Sequence, residues 1–122
     1  MVRSLNAMVL RTNRLEEVLL FYKVLGLPLK EESHDGGPTH YTCKFSGLHF
    51  GIYEHNPYKD RDRRAPGQET MVGFEVANLE QALQALEDLG VNIVIPSEQV
   101  SWGQRAVVLD PDGRPIELNQ SE

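Results

Sequence analysis

The chain holds one cysteine and one tryptophan in 122 residues, and each scarcity removes a class of explanation. A lone Cys43 closes no intrachain disulfide, so a disulfide scaffold is excluded and a cytoplasmic location is expected. No Cys-x-x-Cys pair, dinucleotide-type glycine fingerprint or Ser-His-Asp spacing is present. The longest apolar run, Val18-Leu19-Leu20-Phe21-Tyr22, falls far short of the roughly 20 residues that cross a bilayer. Residues 1–6 lack the apolar stretch of a secretory signal, which fits the same cytoplasmic expectation, and with no run long enough to span, no membrane partner is expected. Positive charge is also in deficit, with 12 Lys and Arg against 18 Asp and Glu and a net charge of −6, which repels phosphate backbones and makes nucleic acid an unexpected partner. The deficit lies in the second half: residues 1–61 carry eight basic and seven acidic groups, and residues 62–122 carry four and eleven.

What is present is a globular composition, 40% hydrophobic, at the length of a single domain spanning 1–122. Inside that domain the sequence repeats. A slide of 64 places Met8 on Val72, Leu10 on Phe74, Leu15-Glu16 on Leu79-Glu80, Leu19 on Leu83, and Leu25-Gly26-Leu27 on Leu89-Gly90-Val91. Module one therefore covers about 1–55 and module two about 70–122, joined by a linker at about 56–69 whose sign-mixed charges follow no apolar period.

Both copies change period in the same order. Alternation over 5–12 and 70–76 predicts a strand, and a helical stripe follows: Leu15, Val18, Leu19, Tyr22 and Leu25 in one copy, Leu79, Ala82, Leu83, Leu86 and Leu89 in the other. Asn13 with Glu16, and Asn78 with Gln81, have capping-box spacing, while Gly26 and Gly90 stand where a left-handed C-cap is wanted. Short strands over 27–32 and 91–96 and hairpins over about 39–54 and 104–119 complete a β-α-β-β-β unit in each half. The hairpins turn at Ser46-Gly47 and at Asp110-Pro111-Asp112-Gly113.

The segments Phe21-Tyr22-Lys23-Val24-Leu25-Gly26-Leu27 and Trp102-Gly103-Gln104-Arg105, the latter leading into Asp110-Pro111-Asp112-Gly113-Arg114-Pro115-Ile116-Glu117-Leu118, resemble the vicinal oxygen chelate superfamily. That superfamily includes glyoxalase I, bleomycin-resistance proteins, fosfomycin-resistance enzymes and extradiol dioxygenases. The resemblance covers nearly the whole chain and implies an α+β fold: two tandem modules forming curved mixed sheets around a cavity, helices on the outer face, with the chain paired as a homodimer. In metal-dependent members, a histidine from the first strand of each module and a further ligand, usually a carboxylate, from each last strand hold the ion. Carried over residue by residue, those positions are Ala7 and Met71 on the first strands and Gly51 and Glu117 on the last. One carboxylate does not hold a divalent transition ion, which needs three or four donors, so no metal or other cofactor is expected.

Strand parity sorts the side chains that would face a ligand. Leu48, Phe50 and Ile52 share the helix side, leaving His49, Gly51 and Tyr53 on the other. Val72, Phe74 and Val76 oppose Met71, Gly73 and Glu75, Ile116 and Leu118 oppose Glu117, and Ala7 and Val9 align with Arg11. The candidate ligand contacts are His49, Tyr53, Trp102, Arg105 and Glu117. Each has an ordinary alternative: a histidine resting on a sheet, a buried tyrosine with a satisfied hydroxyl, an indole covering a core edge, a surface ion pair, or a carboxylate paired with Arg11 or Arg105. Cys43, with no adjacent base, reads as packing and not as a nucleophile.

Two functions follow from these residues. One is metal-independent binding of a small organic molecule in a cavity at the homodimer interface, as in the bleomycin-resistance branch, with Tyr53 and Trp102 stacking on it and His49, Arg105 and Glu117 fixing its polar groups. The other is a metal-dependent lyase or dioxygenase whose ligands have moved, with Glu117, His49 and one of His40, His55 or Glu75 around an open site.

Overall fold

The structure, a computed structural model, describes residues 1, 3–33, 40–54 and 71–122; the expected linker at 56–69 and His55 lie outside the described residues. The chain divides into two compact units, Met1–Asp60 and Arg61–Glu122. The first contains β1 (Ala7–Thr12), α1 (Leu15–Val24), β2 (Lys30–Glu32), β3 (His40–Phe45) and β4 (Leu48–Glu54) in a sheet of order β1-β4-β3-β2. The second contains β5 (Val72–Glu75), α2 (Leu79–Asp88), β6 (Ile93–Val100), β7 (Gly103–Leu109) and β8 (Pro115–Ser121) in the order β5-β8-β7-β6. In each sheet the first strand lies parallel to the last and the other pairs are antiparallel, giving two four-stranded mixed sheets and the expected tandem β-α-β-β-β units of an α+β fold.

The 64-residue slide is exact for the helices, which begin at Leu15 and Leu79 and run ten residues each. Their starts differ. Asn78 caps α2 as expected, its Oδ1 accepting the Gln81 N–H at 3.0 Å. The N-cap of α1 is Arg14, one residue after the expected Asn13, and its own side chain makes no cap bond; the buried Thr12 Oγ1 accepts the Arg14 N–H at 2.8 Å at the turn into the helix. Both helices end in the same way. Gly26 (φ 99°) and Gly90 (φ 85°) take the left-handed position, while Leu27 and Val91 donate back to the carbonyls of Tyr22 and Leu86, the 6→1 bond of a Schellman motif.

The third-position strands depart from expectation in opposite directions. β2 is only Lys30–Glu32, since Leu27 is engaged by the helix cap and Leu29 donates to its carbonyl at 2.8 Å. β6 runs on to Val100, beyond Pro96, which lacks an N–H. Its ladder with β7 shifts register between Ile95 and Glu98, and β6 is a sheet edge, where a proline is tolerated.

Each helix covers one face of its own sheet. Val18, Phe21 and Tyr22 of α1 are fully buried, with the Tyr22 ring 4.9 Å from Phe21 and 5.4 Å from Phe50, so Phe21 rather than Leu19 anchors the stripe. α2 lies over β6, β7 and β8, with Leu79, Leu86, Ala106, Val108, Ile116 and Leu118 out of solvent; each large aliphatic side chain among them contributes about 1.5–3 kcal/mol of transfer free energy. The turn before β8 is closed by the buried Asp110, whose Oδ1 accepts the N–H groups of Asp112 and Arg114, both at 2.9 Å, while its Oδ2 meets the Arg114 guanidinium at 2.8 Å. No helix among the described residues is long and apolar enough to cross a membrane.

Candidate functional site

With the helices on one side of each sheet, the opposite faces carry the candidate residues, and the ladders fix who stands beside whom. In the first unit β4 presents His49, Gly51 and Tyr53 away from Phe50 and Ile52, as parity requires. One row crosses this face as Arg11, Tyr53, His40 and Glu32. His40 is buried and stacks on Tyr53, with centroids 4.2 Å apart and planes within 6°, and the Arg11 guanidinium carbon lies 5.2 Å from the tyrosine centroid. The neighbouring row is Val9, Gly51, Thr42 and Lys30, with Thr42 Oγ1 donating to Glu32. His49 stands in a third row, between Ala7 and Lys44, and is half-buried.

The second unit repeats the layout with different chemistry. Val9↔Gly51 in the first ladder corresponds to Gly73↔Glu117 in the second, and Arg11↔Tyr53 to Glu75↔Asn119. The latter row continues through Arg105 to Glu98. Arg105 donates from Nε and Nη2 to Glu117 Oε2, at 3.1 and 2.8 Å, and from Nη1 to Glu98 Oε1 at 3.0 Å. Asn119 Nδ2 donates to Glu117 Oε1 at 2.9 Å. Asn119 Oδ1 in turn accepts the Trp102 Nε1–H at 3.0 Å. Ser121 Oγ donates to Glu75.

Electrostatics follow the contacts. Hydrogen bonding from Asn119, and then from the Arg105 guanidinium, holds the Glu117 carboxyl below its ordinary 4.5 against a desolvation that pushes it up. Glu117 first, and Glu98 after it, raise Arg105 further above its already high ordinary value. Burial raises the Cys43 thiol above its ordinary value, which favours the neutral form.

The four positions that the resemblance gives to metal ligands do not suit a metal. Gly51 and Glu117 are true counterparts, as the two ladders show, and Gly51 has no donor. A Cβ there would meet Tyr53 Cε1 at 3.1 Å and Thr42 Cγ2 at 3.6 Å, so the tyrosine ring already stands where a longer side chain would rise. Ala7 and Met71 offer no hard donor, and both oxygens of Glu117 are hydrogen-bonded by its neighbours. Among the described residues no three His, Cys, Asp or Glu side chains gather to hold an ion.

Of the five expected contacts, Trp102, Arg105 and Glu117 belong to one connected network, Tyr53 sits in the aromatic row of the first unit, and His49 stands apart from that row. Reasoning from sequence missed Asn119 and Glu98, which complete the network, and His40, which it had considered only as a displaced metal ligand. Strand parity alone places Asn119 beside Glu117's face, and that was the available signal.

A family profile described as Glyoxalase/Bleomycin resistance protein/Dioxygenase superfamily matches residues 4–118. Comparison with curated proteins gave no significant match. Among solved structures, a glyoxalase/bleomycin resistance protein/dioxygenase family enzyme from Burkholderia phytofirmans PsJN is similar at a TM-score of 0.74 and 16% identity, over 98% of this chain and 100% of that one. An antibiotic binding protein from Streptomyces sp. CB03234 is similar at a TM-score of 0.71 and 18% identity, over 99% and 98% of the two chains. An integron cassette protein from the mobile metagenome of V. cholerae is similar at 0.64 and 22%, over 100% and 98%. The profile match spans both β-α-β-β-β units, and the chain therefore belongs to the glyoxalase/bleomycin resistance protein/dioxygenase superfamily.

Proposed function

We propose that this protein binds a small planar organic molecule without a metal, as a cytoplasmic homodimer whose cavity forms at the interface, with Tyr53 and Trp102 stacking on the ligand and His49, Arg105 and Glu117 near its polar groups. The observation that carries this reading is the state of Trp102: the residue is 54% exposed, yet its N–H is already hydrogen-bonded to Asn119, so aromatic surface is offered without a polar cost to ligand stacking. The similar antibiotic binding protein supports the class of ligand. Arg105 is already engaged by Glu98 and Glu117, with Glu75 in the same row, so the surroundings favour neutral or cationic aromatics over anions.

A metal-dependent lyase or dioxygenase built on Glu117 and His49 would require Glu117 to give up Arg105 and Asn119, and among the described residues no cluster of three His, Cys, Asp or Glu side chains favours it. The test uses the single tryptophan as its own reporter. Titration with planar aromatic antibiotics, neutral, cationic and anionic, should give saturable quenching of Trp102 fluorescence and a rise in melting temperature for at least one neutral or cationic compound, the rise in melting temperature being lost in Trp102→Ala. Absence of any such response across the panel would remove the proposal. Light scattering that returns a monomer would remove the interface from it.

A further inference from the structure

We infer that Asn119 is a positioning residue that holds the Trp102 indole in a preset orientation, so that a planar ligand meets an ordered platform; this rests on the binding reading above. Trp102 occupies an unusual place for a fixed ring. Ser101 and Trp102 are the two residues that connect Val100 of β6 to Gly103 of β7, the tip of a hairpin, where side chains ordinarily sample several rotamers. Two features counter that freedom.

The first is a chain of hydrogen bonds with a forced direction. The indole N–H only donates, the Glu117 carboxylate only accepts, and the Asn119 amide lies between them, so its oxygen must face Trp102 and its nitrogen Glu117. Reversing the amide would set donor against donor on one side and acceptor against acceptor on the other. Arg105 fixes the far end by gripping Glu117 from Nε and Nη2. The orientation of the ring is thereby tied through Asn119 and Glu117 to the middle of the sheet.

The second is the backbone that follows the ring in the chain. Gly103 has a φ of 141°, and a Cβ on it would fall 2.1 Å from the Gln120 carbonyl oxygen. The hairpin tip is therefore pressed directly against β8, and Asn119, the residue before Gln120, is brought within reach of the indole. A ligand stacking on a ring held in this way loses less freedom on binding than one stacking on a mobile ring, which is how preorganisation raises affinity without adding a contact.

Asn119→Leu and Asn119→Ala both remove the relay, one keeping bulk and one releasing it, and circular dichroism and melting temperature identify which is folded. In the free protein, the anisotropy decay of Trp102 should show the indole turning only with the molecule in the wild type, with a fast local component appearing in the variants. Acrylamide should quench the variants about twofold more efficiently, and the Kd of whichever planar aromatic antibiotic quenches the wild type should weaken about fivefold at unchanged stoichiometry. Wild-type anisotropy in both folded variants would overturn the inference, and so would a freed ring that binds the same antibiotic as tightly as before. If no antibiotic in the panel affects the wild type, the binding reading falls, and the ligand-free anisotropy still decides whether Asn119 holds the ring.

Discussion

Glu117 accepts hydrogen bonds at both oxygens, from Asn119 and from Arg105, and its folded carboxyl titrates below its ordinary value of 4.5. The sign of the resulting pH dependence is set: a depressed carboxyl contributes stability that is fully present above the unfolded pKa and lost as pH falls through the folded one. Wild type should therefore lose more stability than Glu117→Gln between about pH 5 and about pH 3, as read by urea unfolding at each pH; parallel acid profiles would contradict the assignment. Cys43 supplies a second check at this scale. Its buried, neutral thiol should react with an aromatic disulfide reagent far more slowly in the native protein than in urea, and equal rates would mean that the strand opens freely. The pairing of Glu117 with Arg105 was one of the options legible in the sequence, since both residues fall on the same face of adjacent strands. The part played by Asn119 was not, because it depends on a tryptophan 17 residues earlier being folded back from a hairpin tip.

Elements were legible where one local cause fixes them and obscure where two compete. Asn78 and Asn13 have the same spacing to a following acceptor, but only Asn78 is the N-cap residue of its helix, since the N-cap of α1 falls one residue later, at Arg14, whose N–H is taken by the buried Thr12 hydroxyl. Asn78→Ala should accordingly cost about 1 kcal/mol in chemical denaturation; an unchanged stability would contradict the cap. The Ser46-Gly47 turn has positive φ at both residues, 52° and 74°, the geometry of a tight hairpin that prefers asparagine at its first position. Ser46→Asn should stabilise the protein by about 0.5 kcal/mol, and a loss of stability would count against the turn. The strand expected over 91–96 runs on to Val100, because Pro96 lies in a strand at the edge of the sheet, a position that tolerates a missing N–H and that the sequence does not display.

The duplicated architecture was visible at the scale of the whole chain because equal periods recur 64 residues apart, and the helices obey that spacing to the residue. What the repeat does not convey is how far the two copies have diverged in chemistry. The row Arg11, Tyr53, His40, Glu32 answers to Glu75, Asn119, Arg105, Glu98, an aromatic stack in one unit and an ion-paired network in the other. The superfamily's sheets are kept, and the positions that the resemblance gives to its metal ligands carry Ala7, Gly51 and Met71 beside Glu117, so the fold by itself does not name the chemistry. The central claim, binding without metal, is tested most directly by titrating the EDTA-dialysed protein with a planar aromatic antibiotic and following Trp102 fluorescence. Saturable quenching should occur in EDTA and remain unchanged when nickel, zinc, manganese or iron(II) is supplied. Quenching or turnover that arises only after one of those ions is added would contradict the account.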